Sequence, residues 1–109
     1  MKPRLRGNKY EDITRHLQDL ERGLFLVRET VSLTPVAVAA NSAVEQTFTV
    51  PRLTTNDSVL VEYTGAQTAG IGLVSARVSA ADTLAITYVN PTAGSLTPAS
   101  GNHRLIRME

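Results

Sequence analysis

The residues of this chain able to do chemistry are few and scattered. A nucleophilic triad needs Ser or Cys beside a histidine that an acid orients. The sequence has no cysteine, and its two histidines, His16 and His103, lie far apart with no glycine-framed nucleophile turn near either. His16 reads as a solvated helix residue and His103 as a strand-edge residue. Paired carboxylates for acid/base work would have to come from Glu45, Asp57, Glu62 and Asp82. Each has a simpler role: Asp57 follows Asn56 in a turn, Asp82 precedes a strand, and the glutamates occupy solvent-facing positions. No metal-ligand spacing occurs, so no metal or cofactor is expected. Gly70-Ile-Gly72 lacks the third glycine and the following helix of a phosphate cradle, and reads as a bulge or a close backbone approach. The expectation is a non-enzyme.

The elements that would hold a site are bounded by size and composition. A chain of 109 residues is one domain with room for a short appendage. Two Phe and three Tyr are its only aromatics, so the core must come from Val, Leu, Ile and Ala. Small domains bury a modest share of their surface and need disulfides, metals or partner subunits. With no disulfide or metal in sight, oligomerisation is the expected device. The lack of cysteine fits a reducing cytoplasm and equally a particle assembled there and released. No apolar run approaches the length of a membrane span, and the first ten residues are too polar for a signal peptide.

Charge is unevenly placed. Lys2, Arg4, Arg6 and Lys9 crowd the first ten residues without an acid, whereas the chain after Ser32 carries four basic and five acidic residues. Such a tip could contact phosphates. There is no Arg-rich recognition helix, however, and Tyr10 is the only aromatic nearby, so nucleic acid is disfavoured as a partner, and an arm that orders on an acidic protein surface or stays solvated is expected.

Two patterns of periodicity divide the chain into an arm and helix over 1–32 and a β domain over 33–109. Ile13, Leu17, Leu20, Leu24, Val27 and Val31 are spaced four, three, four, three and four apart, the heptad-like stripe of a helix seam. A helix is expected from about Lys9 to Arg22, with Leu24 to Leu33 either a strand or a continued helix, because Gly23 weakens a helix interior. The stripe can lie on the chain's own β domain, join copies in a short coiled coil, or stay on the surface. From Thr34 onward the period is two. Val44, Phe48 and Val50 face one way, with Glu45, Thr47 and Thr49 opposite. Similar runs at Pro35–Ala40, Ser58–Thr64, Gly72–Ser79, Thr83–Asn90 and His103–Met108 bring the number of short strands to six. They predict a mainly β fold, an antiparallel β-sandwich or barrel-like domain preceded by an N-terminal helix. Gly72–Ser79 and Thr83–Asn90 form a hairpin turning at Ala80-Ala81-Asp82, with Leu84, Ile86 and Tyr88 inward. Val59-Leu60-Val61 and Leu73-Val74 break the alternation, so these strands carry apolar contacts on both faces, a hint of a subunit interface.

Three pieces of the β region also resemble a known family. These are Val44–Val50 (an AEQTFTV-like strand), Gly70–Ile86 (a GLGIVNARVSAADTLTI-like hairpin) and the loop Asn90-Pro-Thr-Ala-Gly94. Together with the closing strand they look like a small β domain common among tailed-bacteriophage virion proteins, over about the last three quarters of the chain. The resemblance implies a non-enzymatic component of decoration, fibre or tail assemblies, often trimeric, with no catalytic residues to carry over. Combined with the residue patterns, it gives a capsid decoration or cement protein, a homotrimer assembled in the host cytoplasm and residing in the virion. Lys2, Arg4, Arg6 and Lys9 would dock on the major capsid protein or another virion protein. Ile13, Leu17, Leu20 and Leu24, with Val27, Val31 and Leu60, would join copies. A fibre or tail module that binds a receptor or glycan, or a head-to-tail joining component, is the alternative.

Overall fold

The computed structural model describes residues 26–108, and the chain forms six strands over them. These are β1 (Leu26–Leu33), β2 (Ser42–Thr49), β3 (Ser58–Tyr63), β4 (Gly72–Ala80), β5 (Thr83–Asn90) and β6 (Gly101–Met108). They build two three-stranded sheets in the orders β1-β6-β3 and β2-β5-β4, every neighbouring pair antiparallel. The protein is therefore mainly β. The helix expected from Lys9 to Arg22 lies outside the described residues.

The six strands are not quite the six that the periodicity predicts. Leu26–Leu33 resolves to a strand, pairing residue for residue with β6. Val27 and Val31, the last positions of the stripe, therefore stand on a strand. A four-residue spacing is compatible with either element, because it returns to the same strand face as well as to the same helix stripe. Conversely, Pro35–Ala40 is not a strand. Pro35 offers no N–H to a ladder, and the segment is held by side chains instead. Gln46 reaches across from β2, accepting from Val36 N at 2.9 Å through Oε1 and donating to Val36 O at 2.8 Å through Nε2. A single bridge pairs Val38 with Leu96, and Asn41 at φ 53° turns the chain into β2.

The hairpin is as expected, with a tighter turn. Ala80 pairs with Thr83, leaving Ala81-Asp82 as the connection and Asp82 at φ 57°. Leu84, Ile86 and Tyr88 project inward and are fully buried. They join Val50, Leu53, Val78 and Ile71 with Leu33, Val38 and Leu105 in one core shared by both sheets. Each such aliphatic side chain contributes about 1.5–3 kcal/mol by leaving water. The core is thus Val, Leu and Ile around one tyrosine, as the low aromatic content requires. On the opposite face of β5, Ala85 is equally buried. Arg77 on β4 reaches Glu45 on β2 at 2.8 and 2.9 Å, spanning the central strand on the side where Ala85 lies.

β6 departs from its sequence reading. It is the central strand of its sheet, and His103 is an inward residue with 0% exposure, not an edge residue. Its Nδ1 donates to the Gly101 carbonyl at 2.9 Å, and its ring lies 5.0 Å from that of Tyr63. The inward positions of this strand are His103, Leu105 and Arg107, so two of the three are polar and the usual contrast between faces is reversed.

Candidate functional site

The carboxylates that might have acted as acids or bases are engaged in holding the fold. Glu45 binds Arg77 through two hydrogen bonds, and this partner lowers its pKa below the ordinary glutamate value. Glu62 binds Arg104 across β3 and β6. Asp57 Oδ2 accepts from Thr54 N at 3.0 Å and lies 4.0 Å from Arg107 Nη1. Arg107 is nearly buried and also donates to the Arg52 carbonyl at 2.7 Å, tying β6 to the loop after β2. Asp82 accepts from Arg52 N. Among the described residues no three His, Asp or Glu side chains group as a metal site.

What the described residues do bring together is apolar surface. On β3 the sequence Val59-Leu60-Val61 resolves as the broken alternation suggests: Val59 and Val61 pack on the core, and Leu60 turns outward with 67% exposure. On β4 the register slips between Leu73 and Ser75, which makes Val74 the extra residue of a bulge. Leu73 packs on the core while Val74 is 58% exposed. β3 and β4 are the edge strands on one flank of the two sheets and approach one another there. A cleft of about 200 Å³ runs between them, lined by Val59–Val61 and Leu73–Ala76. Leu60 and Val74 are its outward lips.

Leu60 also borders a second apolar area, the outer face of β1-β6-β3. Cross-strand register aligns Leu26 with Met108, and Arg28 with Ile106 and Leu60. Leu26 is 61% and Met108 41% exposed. A shallow depression of about 260 Å³ lies beside them between Leu60, Glu62, Arg104 and Ile106.

Of the residues read from the sequence as an interface, Leu60 is thus solvent-facing. Val27 and Val31 are half-buried on the opposite, inward side of β1, and Val31 packs on the core. Ile13, Leu17, Leu20 and Leu24, and the basic residues Lys2, Arg4, Arg6 and Lys9, lie outside the described residues. Leu26, Ile106 and Met108 are not among the residues that the sequence marks as an interface, whereas Val74 belongs to the broken alternation at Leu73-Val74 that hints at one. The alternation of Ile106 and Met108 with His103, Leu105 and Arg107 places them on the opposite face, but two polar residues on the inward face hide which side is buried. The aromatics of the described residues, Phe48, Tyr63 and Tyr88, all turn inward, and Tyr63 donates its hydroxyl to the Ser100 carbonyl at 3.0 Å.

No family model, no curated protein and no solved structure matches this chain.

Proposed function

We propose that this chain is a non-enzymatic structural component of a tailed-bacteriophage particle, a capsid decoration or cement protein that attaches as an oligomer. The observation that carries the reading is the pair of apolar lips, Leu60 and Val74, at the flank where β3 and β4 meet. Large aliphatic side chains on a small domain gain about 1.5–3 kcal/mol each when a neighbour covers them, and mass action then favours the assembled state. The virion assignment draws on the resemblance of Val44–Val50, Gly70–Ile86 and the loop at Asn90–Gly94 to virion β domains. In this reading the body associates with sister copies, as a homotrimer, through the β3–β4 flank. The basic residues Lys2, Arg4, Arg6 and Lys9 dock on the major capsid protein or another virion protein.

Light scattering of the full chain through the micromolar range tests the association. The expected result is a trimer that Val74→Asp converts to monomer while the fold persists. A wild-type chain that stays monomeric throughout that range would remove the shared-interface reading. Removal of residues 1–9 is expected to leave the fold intact and to weaken particle attachment.

A further inference from the structure

Among the described residues, the edge of β2 stands without the devices that blunt the other sheet edges. An unpaired edge invites a further strand, and proteins guard it with charges, bulges, short length or a covering segment. β3 is the shortest strand and lies against β4, whose own edge is broken by register shifts at Leu73/Ser75 and Val78/Ala80. β1 carries Arg28 and Glu29 on its two faces. β2 instead pairs with β5 over all its eight residues without a bulge, contains no proline, and has Glu45 as its one charge, already bound by Arg77.

The ladder fixes which backbone groups of β2 are free. Val50 N donates to Asp82 O at 2.9 Å, one step past the Thr49–Thr83 pair. Because an antiparallel ladder alternates, Val44, Gln46 and Phe48 exchange bonds with β5, and Ala43, Glu45, Thr47 and Thr49 turn their N–H and C=O groups away from it. None of these groups has a partner among the described residues. The Pro35–Ala40 segment lies close by, yet it hangs from the Gln46 side chain and from Leu96, not from the β2 backbone. Beside the free row, Val36 is 66% and Val44 38% exposed.

The occupant that fits this edge is the same strand of a second copy. In an antiparallel pair about a two-fold axis, one register matches all four free residues with each other. Glu45 of one copy then faces Thr47 of the other, Ala43 faces Thr49, and Val44 faces Phe48 on the inward side, with Gln46 at the axis. A shift of two residues one way sets Glu45 against Glu45, a destabilising pair of like charges. The same shift the other way sets Ala43 against Pro51, which has no N–H to give.

We infer that β2 pairs antiparallel with β2 of a second copy in this register, joining two three-stranded sheets into one continuous sheet. Such an edge pair belongs to the size class of weak, transient contacts. It therefore fills at near-millimolar concentration, or where copies are crowded together, and leaves micromolar association to other surfaces. β2 and β4 are opposite edges of one sheet, so the pairing neither uses the β3–β4 flank nor rests on the assembly reading.

Residue-resolved hydrogen exchange of the full chain, at micromolar and near-millimolar concentration, tests it. The amides of Ala43, Glu45, Thr47 and Thr49 are expected to slow about ten-fold at the higher concentration, as for a site about nine-tenths filled. Those of Val44, Gln46 and Phe48, already bonded to β5, should not change. Thr47→Pro removes an N–H that points away from β5, a position where an edge strand accepts proline, and should abolish the slowing at the other three. Free amides equally fast at both concentrations would overturn the inference, as would amides equally slow at both, which would mean that the chain covers its own edge. Slowing that survives Thr47→Pro would also overturn it. Should that variant fail to fold, Glu45→Cys and Thr47→Cys chains are mixed and treated with a short thiol cross-linker, the protein having no cysteine of its own. The mixture is expected to cross-link and each variant alone is not; any other pattern would rule out the register. Val74→Asp should leave the alternating exchange pattern as it is, so failure of the assembly reading is distinguishable from failure of this one.

Discussion

Arg52 and Asp82 interlock two turns that both require left-handed backbone. Their φ angles are 75° and 57°, and the Arg52 amide donates to Asp82 Oδ1 at 2.7 Å. Two further bonds seal the junction, Val50 N to Asp82 O and Asp82 N to Leu53 O, each 2.9 Å. The β4–β5 hairpin tip is thereby clamped to the chain leaving β2, and Val50 and Leu53 are held in the core. Aspartate suits the site because it tolerates the left-handed region better than most side chains and carries its own acceptor.

Asp82→Asn keeps both properties and is expected to cost less than about 0.5 kcal/mol. Asp82→Ala loses the acceptor and the tolerance together and should cost about 1–2 kcal/mol. Urea unfolding of the two variants checks this. Equal losses in both would mean that the carboxylate charge, not the acceptor geometry, is what matters.

Asn90 gives a second prediction. It opens the Asn-Pro-Thr-Ala-Gly loop and is fully buried with every side-chain hydrogen-bonding group in use. Its Nδ2 donates to the Val38 and Gly94 carbonyls, both at 2.9 Å, while Oδ1 accepts from Thr92 N at 3.0 Å and Thr92 Oγ1 at 2.6 Å. Asn90→Asp keeps the shape, deletes both donors and sets a carboxylate against two carbonyls. The expected loss is about 3 kcal/mol or more at neutral pH, partly recovered in acid. Thermal unfolding at pH 7 and pH 4 measures it; a variant as stable as wild type at pH 7 would mean that the loop is not held by this side chain.

Much of this architecture is legible in the chain. The run from Thr83 to Tyr88 alternates, and both its strand and its inward set Leu84, Ile86 and Tyr88 follow from period two. Three kinds of feature are not. Gln46 and Asn90 anchor the Pro35–Ala40 segment through side-chain amides, so an extended apolar run reads as a strand although its backbone partners are not a ladder. β6 buries His103 and Arg107, with His103 Nδ1 bonded to the Gly101 carbonyl and Arg107 Nη1 to the Arg52 carbonyl, partners that no local pattern exposes. The site was half legible: the broken alternations at Leu60 and Leu73-Val74 pointed to apolar contact on both faces, but which residue turns outward depends on the bulge at Val74.

Tyr88 supplies a pH-dependent prediction. Its hydroxyl is buried with no hydrogen-bond partner among the described residues, and that desolvation raises its pKa from 10.0 to about 12. The unfolded chain releases this proton near 10 and the folded chain near 12. The folded state thus holds the proton longer, and stability is lost as pH rises from 10 toward 12. Tyr88→Phe should remove that part of the alkaline loss. At pH 7 it should be within about 0.5 kcal/mol of wild type or slightly more stable, because an unsatisfied buried hydroxyl leaves with it. Urea titrations at pH 7 and pH 11 compare the two; identical alkaline losses would rule out Tyr88 as their source.

Gly70 and Gly72 differ although only one residue separates them. Gly70 has φ 89°, and a Cβ there would come within 2.9 Å of Thr92 Cγ2 and 3.1 Å of Leu96 Cδ1. It is the close approach between the loop before β4 and the Asn90–Gly94 loop, which is why no phosphate cradle is needed to account for it. Gly72 begins β4, and a Cβ there would meet only Val74 Cγ1 at an ordinary 3.9 Å. Gly70→Ala should therefore cost about 2 kcal/mol, from backbone strain and the crowding of Thr92 together. Gly72→Ala should be neutral or stabilise by up to about 1 kcal/mol, since it restricts the unfolded chain. Chemical denaturation of the two single variants makes the comparison. If both cost the same, the positive φ and the contact with Thr92 are not what fixes glycine at position 70.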